Sequence, residues 1–91
     1  MTDTLLEDRA GGRFELLIDG QVVFADYRRQ DGRLVIPHVE APPALRGTGA
    51  AGRLMRAVTD LARAEGLKIR PLCGYASAWM RRHPETHDLL G

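Results

Sequence analysis

Arg46-Gly47-Thr48-Gly49-Ala50-Ala51-Gly52 decides how this chain reads. The stretch follows Leu34-Val35-Ile36, which has the character of a strand, and it opens a run with helical spacing. Glycines at a strand-to-helix turn leave backbone N–H groups uncovered. A phosphate approaches such donors with no Cβ in the way, and the helix dipole favours its charge. The segment therefore reads as a cradle for a phosphate or pyrophosphate, with a plain structural turn as the alternative.

Two glycine motifs do not fit. A P-loop needs Lys and then Ser or Thr after its last glycine, whereas Arg53 follows Gly52. The dinucleotide pattern G-x-G-x-x-G occurs as Gly47, Gly49 and Gly52. That fold repeats strand–helix–strand units and has an acid about 20 residues on. Leu72-Cys73-Gly74 stands there instead, and the remaining chain is too short for a doubly wound sheet. The spacing Arg-x-x-Gly-x-(Gly/Ala) is met by Arg46, Gly49 and Ala51, just after Ala41-Pro42-Pro43.

Working outward, the 91 residues suggest one domain, 1–91. A chain of this length buries about 60–65% of its unfolded surface, enough for a small core. The hydrophobic content of 44% is ordinary and the net charge is +1, with no basic block and few aromatics. Neither nucleic acid nor a membrane surface is an expected partner. Cys73 is the single cysteine, so no internal disulfide forms. The charged start, Met1 through Asp8, lacks a leader's apolar stretch, and no apolar run approaches ~18 residues. A cytoplasmic protein, monomeric or weakly dimeric, is the expectation.

Residues 1–12 read as a frayed end or a short first strand. Phe14, Leu16 and Ile18 alternate as a strand, Val22 to about Tyr27 as a second, and Leu34 to Glu40 as a third. Asp19-Gly20 and Asp31-Gly32 are tight-turn signals, so these strands form an antiparallel meander. Apolar residues on both strand faces suggest helices on both sides. Pro42-Pro43 ends the third strand, and Pro37 predicts a bend before His38. Leu54, Val58 and Leu61 predict a helix from about Gly49 to Glu65, with Gly66 as its cap. Leu67–Leu72 reads as another strand, and a second helix starts near Tyr75 or Ala76. The order is β-β-β-α-β-α in the α+β class: a meander followed by a parallel βαβ unit in a mixed sheet covered by helices.

Candidate chemistry gathers near the loop. Cys73 ends a strand and precedes a helix, where thiols become more acidic and strand ends form sites. It reads equally as a small buried hydrophobe. Tyr75 lies two residues on. His38 and Glu40 share a strand face just before the loop, and either residue type can take a proton from a nucleophile. A bonded histidine and a solvated strand end are the alternatives. His83 and His87 are four apart, but Pro84 intervenes and no further ligand accompanies them, so no metal is expected. Trp79 and Met80 read as core anchors, with the lining of an acyl slot as the alternative, and Arg81-Arg82 as solvated, with a hold on a phosphate as the alternative.

Taken together, these residues resemble a short GNAT-like family of N-acetyltransferases over roughly residues 13–90. The likeness rests on His38-Val39-Glu40-Ala41-Pro42, Leu45-Arg46-Gly47-Thr48-Gly49-Ala50-Ala51, Pro71-Leu72-Cys73-Gly74-Tyr75, His83-Pro84-Glu85 and Asp88-Leu89-Leu90. Val39 stands where the family tends to have Thr, and Gly74 where it has Ser or Pro. The resemblance implies a minimal GNAT fold and acetyl-CoA bound as cosubstrate by Ala41, Leu45 and the loop Arg46–Gly52. It implies acetyl transfer to an unidentified amine, on a small molecule or on a protein. His38 or Glu40 would serve as base and Tyr75 or Cys73 as acid, with a covalent acetyl-Cys73 as the second route. A CoA-binding module without catalysis is the rival implication.

Overall fold

Asp19-Gly20 and Asp31-Gly32 fold the first part of the chain back on itself twice. All four residues have positive φ, 50° and 75° in the first pair and 52° and 76° in the second. This is the type I′ geometry, whose twist matches the strands it joins. The computed structural model describes residues 3–91. Strands β1 (Leu5–Asp8), β2 (Arg13–Ile18), β3 (Gln21–Gln30) and β4 (Arg33–Glu40) run antiparallel in chain order. Helix α1 (Ala50–Glu65) crosses over to β5 (Lys68–Pro71), which lies parallel to β4. Helix α2 (Gly74–Arg81) follows, then a 3-10 segment at Pro84–Leu89.

The start of the chain forms the short first strand, one of its two readings, and makes the sheet five-stranded, because Leu5–Asp8 pairs with Leu16–Arg13 and Leu5 packs on the core. Residues 1 and 2 lie outside the described range. One expectation changes: helices do not cover both faces of the meander. Phe14, Leu16, Ile18, Val23, Ala25 and Tyr27 lie on one face and are buried with α1 and α2. On the other face Leu17 and Val22 are 64% and 43% exposed.

The residues of α1 explain its packing. Leu54, Met55, Val58 and Ala62 bury one stripe at helical spacing, and Gly66 closes the helix with φ 69°. A fully buried apolar side chain of this size contributes about 1.5–3 kcal/mol. The opposite face carries ion pairs, Arg56 to Glu85 and Arg63 to Asp88, which join α1 to the C-terminal turn. These are exposed and add little. Packing holds the helix in place.

Strand β4 contains the irregularity that matters for the site. Asp26 pairs with His38 and Arg28 with Val35, so Ile36 and Pro37 stand opposite Tyr27 alone. Proline has no N–H to give to the ladder and is tolerated at such a bulge. The extra residue reverses the alternation. Leu34 and Ile36 face the core, then His38 and Glu40 turn outward while Val39 packs inward.

Candidate functional site

Strands β4 and β5 separate where the bulge begins. Their pairing ends at Ile36 and Pro71, and the N–H groups of Leu72 and Cys73 both bond the Ile36 carbonyl, at 2.9 and 3.2 Å. From His38 onward β4 keeps only β3 as a strand neighbour. A cavity of about 470 Å³ occupies the opening. Its wall is His38, Val39, Glu40 and Ala41 from the end of β4, the loop from Leu45 to Ala51, and Tyr75 from α2.

The loop has the form its glycines suggest. Pro43–Leu45 makes one 3-10 turn, and Gly47 and Gly49 take φ of 78° and 83°. A Cβ at either glycine would meet nothing within 4 Å. Thr48 turns its side chain back, donating to the Leu45 carbonyl at 2.5 Å, and does not line the cavity. Arg46 Nε reaches the Ala41 carbonyl at 3.4 Å and ties the loop to the end of β4. The first helical bond of α1 runs from Arg53 N–H to the Gly49 carbonyl, 3.0 Å. The amides ahead of it have no partner inside the helix. No side chain caps this end and no acid sits in the first turn, so donors and dipole are open to an anion.

His38 and Glu40 lie together on the outward face, as their spacing predicts. Nε2 and Oε1 are 3.0 Å apart, and both side chains are about half exposed. A carboxylate only accepts, so Nε2–H is the donor, and in the neutral imidazole Nδ1 is then the nitrogen with the lone pair. The Phe24 ring flanks the imidazole at 6.0 Å.

Tyr75 sits in the first turn of α2 with its ring at the cavity. Burial raises its pKa above the usual tyrosine value, the Cys73 side adds to this, and Arg82 works against it. The phenol therefore keeps its proton at neutral pH. Cys73 is the N-cap residue of α2 and is half-buried against the core. It does not line the cavity. Trp79 and Met80 are buried, the core anchors that the sequence suggests.

Other contacts were not visible in sequence. His83 stacks on Trp79 at 3.9 Å and its Nδ1 bonds the Trp79 carbonyl at 2.6 Å. His87 Nε2 bonds the Met80 carbonyl at 3.0 Å. Both histidines thus finish the C-terminus of α2. Among the described residues no group of three metal-ligating side chains occurs. Val39 joins the cavity wall because the bulge turns it inward. Gly52 stands behind the loop against α2, where a Cβ would come 3.1 Å from Trp79 Nε1.

Comparison with known proteins agrees with this architecture. Residues 13–89 match a family model described as GCN5-related N-acetyl-transferase. No curated protein matches the sequence. The NMR solution structure of a GCN5-like protein from Staphylococcus aureus has the same fold, with a TM-score of 0.69 and 21% identity. The match covers 97% of this chain and 87% of that chain. With a family match across most of its length, the chain belongs to the GCN5-related N-acetyltransferases.

Proposed function

We propose that this protein is a single-domain, acetyl-CoA-dependent N-acetyltransferase that transfers the acetyl group directly to an amine in a ternary complex. One observation carries the reading: an anion cradle at the α1 N-terminus shares a single cavity with Tyr75, His38 and Glu40. The pyrophosphate of the cosubstrate would lie on the Gly47–Ala51 amides. The pantetheine arm would run along the free edge of β4, where the backbone of Val39 and Glu40 has no β5 partner. The thioester would then stand in the opening between the two strands.

The acceptor arrives as an ammonium and must lose a proton. His38 Nδ1, with Nε2–H held by Glu40, takes it, directly or through water. The amine nitrogen attacks the thioester carbonyl, forming the N–C bond. Collapse breaks the C–S bond and releases a thiolate, which takes the Tyr75 hydroxyl proton; the second proton, shed by nitrogen as the amide forms, returns to the Tyr75 oxygen. Cys73 would border this route, and no covalent acetyl-enzyme is required. A cytoplasmic setting suits a free thiol at this position.

Binding is tested by thermal shift. At a hundred times its dissociation constant a ligand adds about 2.7 kcal/mol, or roughly 10–20 °C in Tm for a domain this small. No shift at millimolar acetyl-CoA sinks the reading. Transfer of acetyl label to an amine distinguishes the enzyme from a binding module. Binding without transfer across a panel of primary amines would favour the module.

A further inference from the structure

We propose that Gly52 is a positioning residue: its missing side chain seats α2 against α1 and thereby sets where the Tyr75 hydroxyl stands. The proposal rests on the reading of Tyr75 as the proton donor.

Gly52 lies in the first turn of α1 with ordinary helical φ, so the backbone does not require glycine there. Glycine is a poor helix former, and alanine would favour the helix more. Nor does Gly52 line the cavity, so the approach of a phosphate does not account for it. What accounts for it is on the other side. A Cβ at this position would lie 3.1 Å from Trp79 Nε1, 3.6 Å from the Tyr75 hydroxyl and 3.7 Å from Trp79 Cδ1. The first distance is tighter than ordinary carbon contact, so something must give.

Trp79 has little room to retreat. It is 6% exposed, stacked on His83, and has the Arg56 guanidinium 5.1 Å from its ring. The strain therefore passes to the seat of α2 on α1. Tyr75 is four residues before Trp79, on the same face of α2. Its hydroxyl rests over the same glycine, so a shift at Trp79 carries Tyr75 with it. A methyl group at position 52 requires its neighbours on α2 to give by a few tenths of an ångström.

The test compares the full chain with Gly52→Ala, Tyr75→Phe and the double variant. Two readouts need no turnover. The first is the indole N–H resonance of Trp79, the single tryptophan. The second is the alkaline titration of Tyr75, assigned by its loss in Tyr75→Phe. Gly52→Ala is expected to shift the indole signal and bring the Tyr75 titration back toward that of a solvated tyrosine. Affinity for CoA should stay within about twofold. With acetyl-CoA and an Nα-blocked lysine amide as acceptor, kcat should fall about tenfold and KM for acetyl-CoA should hold. In the Tyr75→Phe background the same substitution should cost little.

An unchanged Tyr75 titration overturns the proposal. So does a tenfold loss of CoA affinity with Tyr75 unmoved, which would return Gly52 to the phosphate loop. If Gly52→Ala does not fold, Trp79→Phe, which removes the atom nearest the new Cβ, is added to it: the double variant is expected to fold and to show the Tyr75 titration of Trp79→Phe alone, and its failure to fold overturns the proposal. Absence of transfer in the parent chain counts against the enzymatic reading alone, because the titration still judges the seat.

Discussion

At the scale of single residues, the proposed site divides into groups that would bind and groups that would move protons. Gly49 belongs to the first. Its φ of 83° lies in the left-handed region, which costs an alanine about 1–2 kcal/mol. Its Cβ would also project into open space at the N-terminus of α1, beside the cavity that Gly49 lines. Gly49→Ala should therefore lower Tm by several degrees and weaken CoA binding at least tenfold, by calorimetry. Equal binding would make the cradle a structural turn. Tyr75 belongs to the second group. Tyr75→Phe should lower kcat by about 10–100-fold, toward the low end of acid catalysis because a thiolate leaves readily. Cys73→Ala should cost less than tenfold, since the thiol stands outside the cavity wall. Mass spectrometry before acceptor is added should find no acetyl on Cys73. An adduct forming and decaying at the turnover rate would establish the covalent route instead.

At the scale of elements, the sequence was most legible where local chemistry is decisive. Two Asp-Gly pairs fixed the hairpins, Gly49 and Gly66 bounded α1, and Pro42-Pro43 ended β4. It was least legible where distant residues decide. Uninterrupted alternation would place His38 and Glu40 on the face of Leu34 and Ile36, and only Pro37 hinted at the bulge that turns them out. Strand β1 was faint for the same reason: it is held by a long-range contact. Glu7 accepts from the Tyr27 hydroxyl and from Arg29, at 2.8 and 2.9 Å, while Arg29 also donates to Glu65 of α1 at 2.9 Å. This ties β1 to β3 and to the end of the helix. Glu7→Gln keeps the shape but removes the charge, and should destabilise the protein by about 2 kcal/mol, the worth of a charged hydrogen bond. Denaturant titration checks it, and an unchanged midpoint would show the tie to be incidental.

At the scale of the whole molecule, charge sets an acid limit. The Arg29 guanidinium first, with the Tyr27 hydroxyl helping, holds the Glu7 carboxyl below its usual pKa against the opposing effect of burial. Arginine contacts likewise lower Asp3, Glu85 and Asp88, all at the surface. A carboxylate with a depressed folded pKa contributes stability above its unfolded value, near 4.5 for Glu7, and loses it as pH falls through the folded value. Tm should thus be level from neutral pH down to about 5, then drop, and Glu7→Gln should flatten the drop. Salt should change the surface share but little of the share owed to Glu7. The bulge in β4 has a further consequence, in time and not in space. Beyond Pro37 the strand is stitched to β3 alone, so the stretch that presents His38 and Glu40 can open without the rest of the sheet. Its amides should exchange with deuterium well before those of Leu34 to Ile36, whose exchange awaits global unfolding. A bound cosubstrate lying along that free edge would slow the exchange of Val39 and Glu40 first, so the order of protection would record the docking of the substrate arm residue by residue.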